Sequence, residues 1–151
     1  MARPLPPISG PLATWRPGEG APEFGRIAWR LQSRWSEPAR QTTVYTATAR
    51  ASRHFGGKNR PRLTHRHQAT HDLGVTQVFL AIRADTPARA LRWVGEDKLS
   101  RRRGVKVPDA VLSAAGSQPA EAIEFGGAYD VARLRMFHED CRAKQIPYEI
   151  W

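Results

Sequence analysis

Asp109 follows Pro108 within a β-like run from Lys106 to Ser113, and Glu124 stands fifteen positions later between Ile123 and Phe125. That separation suits two short antiparallel strands and their turn, so it predicts that the two carboxylates come to lie side by side on neighbouring strands. Alternation from Glu121 to Phe125 places Ile123 and Phe125 on one face and Glu124 on the other, and sends the Glu124 carboxylate away from the apolar packing. Asp109 and Glu124 are therefore candidate catalytic residues and Mg²⁺ ligands, with Glu96 as a further ligand. Mg²⁺ takes one or two carboxylates together with waters and phosphate oxygens, and it activates a water for attack on a phosphodiester. The alternative is that both acids are solvated strand residues or bond loop amides. Four histidines, His54, His65, His67 and His71, lack a Cys, Asp or Glu set at zinc spacings, which favours phosphate contact or solvation over a metal.

The elements that must position this pair are clearest after residue 70. Thr70 to Ala84 reads as a helix, with Thr70 as its N-cap, Val75, Val78, Phe79 and Ile82 at helical spacing and Leu73 and Leu80 widening the stripe. Its β-branched content and Gly74 leave a strand from Val75 to Ile82 as the alternative. Short β-like runs follow at Ala90 to Val94, Lys106 to Ser113 and Glu121 to Phe125. Tyr129 to Lys144 carries Val131, Leu134, Phe137 and Cys141 along one side, and Pro147 to Trp151 reads as a last strand. The expected order is α-β-β-β-α-β, a mixed α/β (α+β) domain over residues 67–151.

The preceding residues differ in kind. Residues 1–23 hold six prolines and three glycines, so little regular structure is expected there. Phe24 to Trp35 and Thr42 to Ala49, separated by Ser36, Glu37 and Pro38, read as a β-hairpin with Ile27, Trp29 and Leu31 on one face. An amphipathic helix from Arg26 to Trp35 is the alternative, since Ile27, Leu31 and Trp35 also recur every four residues. Thr46 to Phe55 reads as a short helical stretch closed by Gly56 and Gly57.

Charge follows the same division. The formal net charge is +10, but residues 1–70 hold 12 Lys and Arg against 3 Asp and Glu, whereas residues 71–151 hold 12 against 11. A segment rich in Arg and poor in acids attracts polyanions by releasing their counterions, so DNA is the expected partner. Arg26, Arg30, Arg34, Arg50, Arg53, Lys58, Arg60, Arg62 and Arg66 are the candidate phosphate contacts. A solubilising basic tail is the alternative. The longest apolar run, Val78 to Ile82, is too short for a membrane span, and prolines stand where a signal peptide would be apolar. With a single cysteine, Cys141, these features lead us to expect a cytoplasmic protein without a membrane partner.

Pro-Asp on one strand and Glu on the next resembles the PD-(D/E)xK restriction-endonuclease-like fold. That family carries a lysine two residues after the second acid, and Gly126 stands there in this chain. Over roughly residues 42–151 a further set of words is similar to the replication-relaxation family of bacterial and plasmid-associated proteins. They are His71-Asp72-Leu73-Gly74-Val75, Trp93-Val94-Gly95-Glu96-Asp97, Lys106-Val107-Pro108-Asp109-Ala110, Ile123-Glu124-Phe125-Gly126-Gly127 and Tyr148-Glu149-Ile150-Trp151. The resemblance implies a partial winged-helix-like segment over residues 24–66 joined to a nuclease-like part, in a shortened and non-catalytic relative. Two departures stand out. No room is left for the helices that precede a wing, and the family's second acidic position after Glu124 is Gly126. Three functions are then expected to compete: a DNA-binding accessory protein of plasmid or mobile-element replication, a Mg²⁺-dependent DNA endonuclease or nickase, and a protein-interaction module with a basic tail.

Overall fold

The computed structural model describes residues 8–35, 43, 45, 47–56, 66–99, 107–116 and 120–151. Among them are five strands, β1 (Ala13–Trp15), β2 (Trp93–Gly95), β3 (Ala110–Leu112), β4 (Glu121–Glu124) and β5 (Tyr148–Ile150). Five α-helices accompany them: α1 (Phe24–Ser33), α2 (Ala49–His54), α3 (Arg66–Asp85), α4 (Pro87–Ala90) and α5 (Val131–Ala143). The strands form one mixed sheet in the order β1-β5-β4-β3-β2. Only β4 and β5 run parallel, and α5 makes the connection between them.

Both faces of the sheet are covered. On one, Val78 and Ile82 of α3 pack against Ala110, Leu112, Ile123, Phe125 and Trp151. On the other, α1 and α5 bring Ile27, Ala28, Leu31, Leu134 and Phe137 onto Trp15, Ala122, Tyr148 and Ile150. Alternating residues of β4 and β5 thus enter different cores, which is why these central strands are buried along nearly their whole length.

α3 starts one turn earlier than its sequence suggests, so Thr70 is a buried residue within the helix and not its cap. Thr70, Gly74, Val78 and Ile82 form its buried line at four-residue steps, and Leu80 points outward, 53% exposed. Gly74 lets the helix approach the sheet, because a Cβ there would lie 2.3 Å from the Phe125 ring. The strand expected at Ala90 to Val94 forms as β2, three residues later, and Ala90 closes α4. Pro87 opens α4, in a position where its missing N–H is harmless. α5 begins at Asp130, whose Oδ1 accepts from Arg133 N at 2.8 Å. It ends with Gln145 at φ 53° and a bond from Ile146 N to Cys141 O, a left-handed turn that directs the chain into β5.

The N-terminal expectations need correction. Residues 24–33 form α1 and not a hairpin arm, because Ile27, Ala28 and Leu31 close on α5 while Trp29, assigned to the same face in the strand reading, is 70% exposed. The alternative helical reading is the one that forms. Of the second arm, Thr42, Val44 and Thr46 lie outside the described residues, and Thr43, Tyr45, Ala47 and Thr48 are in no strand. The helical stretch expected near Thr46 to Phe55 is α2, capped by Thr48 Oγ1 on Ala51 N. The extension also contains an element: β1 joins the sheet edge against β5, and Trp15 stacks on Tyr148 with ring centroids 5.5 Å apart. Prolines flank this edge strand, where no ladder bond is lost.

Candidate functional site

The ladder between β3 and β4 pairs Ala110 with Ile123. One step further along the same register places Asp109 opposite Glu124, as the fifteen-residue spacing predicts. The two acids meet where β4 ends and the chain turns toward α5. Each is held by a separate set of donors.

Asp109 is fixed by two contacts. Its Oδ2 accepts from Phe125 N at 2.7 Å, and its Oδ1 lies 3.2 Å from His71 Nε2 on α3. His71 also sets its ring edge against Phe125, centroids 5.7 Å apart. The hydrogen bond to Asp109 raises the His71 pKa above the ordinary histidine value; burial opposes that shift, and the charges of Asp109, Glu124 and Asp72 reinforce it. Glu96 begins a short 3-10 turn after β2 and reaches Asp109 through the backbone, its N–H donating to Asp109 O at 2.9 Å.

Glu124 is 1% exposed, so the expectation that it projects away from apolar packing is overturned. Alternation does put it on the face opposite Ile123 and Phe125, but α1 and α5 cover that face too. Its Oε1 accepts from Tyr129 Oη at 2.5 Å. A turn closed by Tyr129 N on Gly126 O brings that ring back over the strand, and Gly127 supplies the positive φ of 41° that the turn needs. Burial first, then the Glu124 charge, pushes the Tyr129 phenol well above its usual pKa, so it remains a hydrogen-bond donor. Arg133, placed in the first turn of α5 by the Asp130 cap, lies over the Tyr129 ring at 4.2 Å.

The position where the PD-(D/E)xK pattern has lysine is closed. A Cβ on Gly126 would lie 2.7 and 2.8 Å from the two Leu31 methyls of α1 and 3.3 Å from Ile150. Two arginines lie against aromatic rings of the site: Arg133 of α5 over Tyr129, and Arg34, just past α1, with its guanidinium carbon 5.9 Å from the centre of the Phe125 ring.

The cationic candidates distribute unevenly. Arg26, Arg30 and Arg34 fall at four-residue steps along α1 and its cap, and Arg26 and Arg30 are exposed. Arg50 and Arg53 are exposed on α2, whose residues are not buried. Lys58, Arg60, Arg62 and the side chain of Arg66 lie outside the described residues. Sequence reasoning did not assign His71 and Tyr129 to the site. The signals were present: Gly74 marks the close approach of α3 three residues after His71, and the Gly126-Gly127 pair returns Tyr129 to the strand it has just left.

As built, the pair can hold protons and a backbone amide in place. His71 and Tyr129 each occupy one oxygen of the pair, so Mg²⁺ would compete with these donors or bind through the remaining carboxylate lone pairs. Compared with known proteins, the chain matches no family model, no curated protein and no solved structure. Among the described residues no helix is long and apolar enough to cross a membrane.

Proposed function

We propose that this is a DNA-binding protein, an accessory of plasmid or mobile-element replication, whose nuclease-like domain serves as a scaffold and not as a cutting engine. The observation that carries the reading is the arginine line of α1. The helix buries Ile27, Ala28 and Leu31 and leaves Arg26, Arg30 and Arg34 without a carboxylate partner among the described residues. An uncompensated cationic stripe is what a phosphate backbone neutralises. The order from α3 to β5, with β4 and β5 parallel and an acid pair at the end of β4, supports a restriction-endonuclease-like assignment. The replication context rests on the resemblance to the replication-relaxation family. Both acids are occupied by internal donors and the lysine position is filled, which favours the scaffold role.

The test is fluorescence anisotropy with a labelled duplex across a salt series. Affinity is expected to fall at least tenfold between 50 and 200 mM salt, the behaviour of a protein with several phosphate contacts, and to survive EDTA and the Asp109→Asn change. Flat affinity across that range would end the proposal; no retention at physiological salt would favour a protein-interaction module.

One observation favours a second reading. Asp109 and Glu124 do oppose each other, with Arg133 close by, so a Mg²⁺-dependent endonuclease or nickase would use them as its ligands. Bound Mg²⁺ would supply the activated water there. Nicking of supercoiled plasmid in Mg²⁺ or Mn²⁺, lost in Glu124→Gln, would establish that reading; intact plasmid under all conditions would remove it.

A further inference from the structure

Several charged side chains among the described residues are matched. Arg89 binds Glu121 and Glu149, Arg142 binds Glu139, and Lys144 binds Asp140. The cleft of about 350 Å³ lined by Arg16, Arg89 and Arg92 contains Glu121 and Glu149 as well, so its charge is largely answered from within. Arg34 is different. It is half-buried, its guanidinium lies over the Phe125 ring, and Nη1 is buried without a hydrogen-bond acceptor. The charge acting on it is Arg30, of the same sign and one helical turn earlier. Two guanidinium groups one helical turn apart, with no carboxylate partner among the described residues, form a site suited to an anion.

We infer that Arg34 and Arg30 seat one phosphodiester of the DNA backbone, with Arg34 as the anchoring contact of the α1 stripe. The inference rests on the DNA-binding reading and adds to it a residue and a geometry. The phosphate charge relieves the repulsion between the two arginines, and its oxygens meet the Nε–Nη2 edge of the half-buried guanidinium, leaving the buried Nη1 behind it. The planar guanidinium matches a tetrahedral phosphate with two parallel N–H bonds, which an ammonium group cannot copy. Arg26, two turns from Arg34 and exposed, would act only as a peripheral charge.

The full-length chain carries the test. Anisotropy with a duplex probe is measured over a salt series for wild type, Arg34→Gln, Arg34→Lys and Arg26→Gln, with thermal melts to confirm folding. Arg34→Gln removes the charge while keeping a polar, hydrogen-bonding side chain. It is expected to weaken binding by about tenfold or more and to lower the salt slope by about one, the signature of a lost phosphate contact. Arg34→Lys should restore the slope but not the affinity, and Arg26→Gln should change affinity by about threefold or less. Wild type that shows no salt-dependent binding would bring down the DNA reading itself. Wild type that binds steeply while Arg34→Gln equals Arg26→Gln would overturn this inference alone. A parallel arm follows the Arg34 side-chain Nε–H resonance by NMR. If inorganic phosphate shifts it and a short duplex does not, the site takes a small phosphate and the diester assignment is wrong.

Discussion

Arg89 and Arg34 are both partly buried arginines next to the same sheet, and they stand in opposite electrostatic situations. Arg89 extends from α4 between Glu121 of β4 and Glu149 of β5, with Nη2 at 2.9 Å from each, and the two carboxylates raise its pKa against the opposing effect of burial. Arg34 has no acid partner among the described residues, and burial together with Arg30 lowers its pKa. A guanidinium whose charge is answered inside the protein ties elements together. One left unanswered is available to something outside. Carboxylates also differ in their donors: Glu149 is shared by Arg89 and Trp151, whereas Glu124 accepts from the Tyr129 phenol.

The strongest break of this comparison is Arg89→Met. It leaves Glu121 and Glu149 facing each other with no cation between them, and the expected loss is about 3 kcal/mol, the range for breaking a largely buried ion pair. Urea denaturation measures it, and DNA affinity per folded molecule should not change. A loss below about 1 kcal/mol would mean that the clasp is ornamental. Smaller in effect is Gly126→Lys, which restores the lysine of the nuclease pattern. Its Cβ runs into Leu31, so about 2 kcal/mol of destabilisation is expected, as for other overpacked cores, with no plasmid nicking gained. Pairing it with Leu31→Ala should recover part of that loss by making room. Nicking by the double variant would show that only α1 separates this site from a catalytic one.

Much of this could be read from the chain, and the failures have physical causes. α5 was legible because Leu134, Phe137 and Cys141 mark one side over more than two turns, and β5 because Tyr148 and Ile150 alternate with Glu149. The opposition of Asp109 and Glu124 followed from spacing alone. α1 was ambiguous because Ile27 and Leu31 satisfy both a period of two and a period near four; contact with α5, more than a hundred residues later, decides between them. β1 hid among prolines because three residues give no periodicity, and only the free edge of β5 defines it. Glu124 burial was misjudged for the same reason. Alternation tells which face a side chain takes, but not that remote segments, here α1 and α5, cover both faces.

The smallest expected effect tests the site itself through pH. His71 bonds Asp109, and that contact raises its pKa in the folded state above the unfolded value of about 6.5. The folded chain therefore binds the proton more tightly than the unfolded one. The contribution of this pair to stability is complete below the unfolded pKa and fades as pH climbs through the raised value. Urea midpoints measured from pH 6 to 9 should decline in the wild type relative to His71→Gln, whose own curve lacks that component. The difference should be modest, since the ring is about one-third exposed. Parallel curves would show that His71 stays neutral against Asp109. The acid would then keep its full charge for an external cation, and the balance would tip from scaffold toward metal site. A wild-type curve that declines with pH while that of His71→Gln does not would instead place the proton on α3, where it holds Asp109 against Phe125 and away from catalysis.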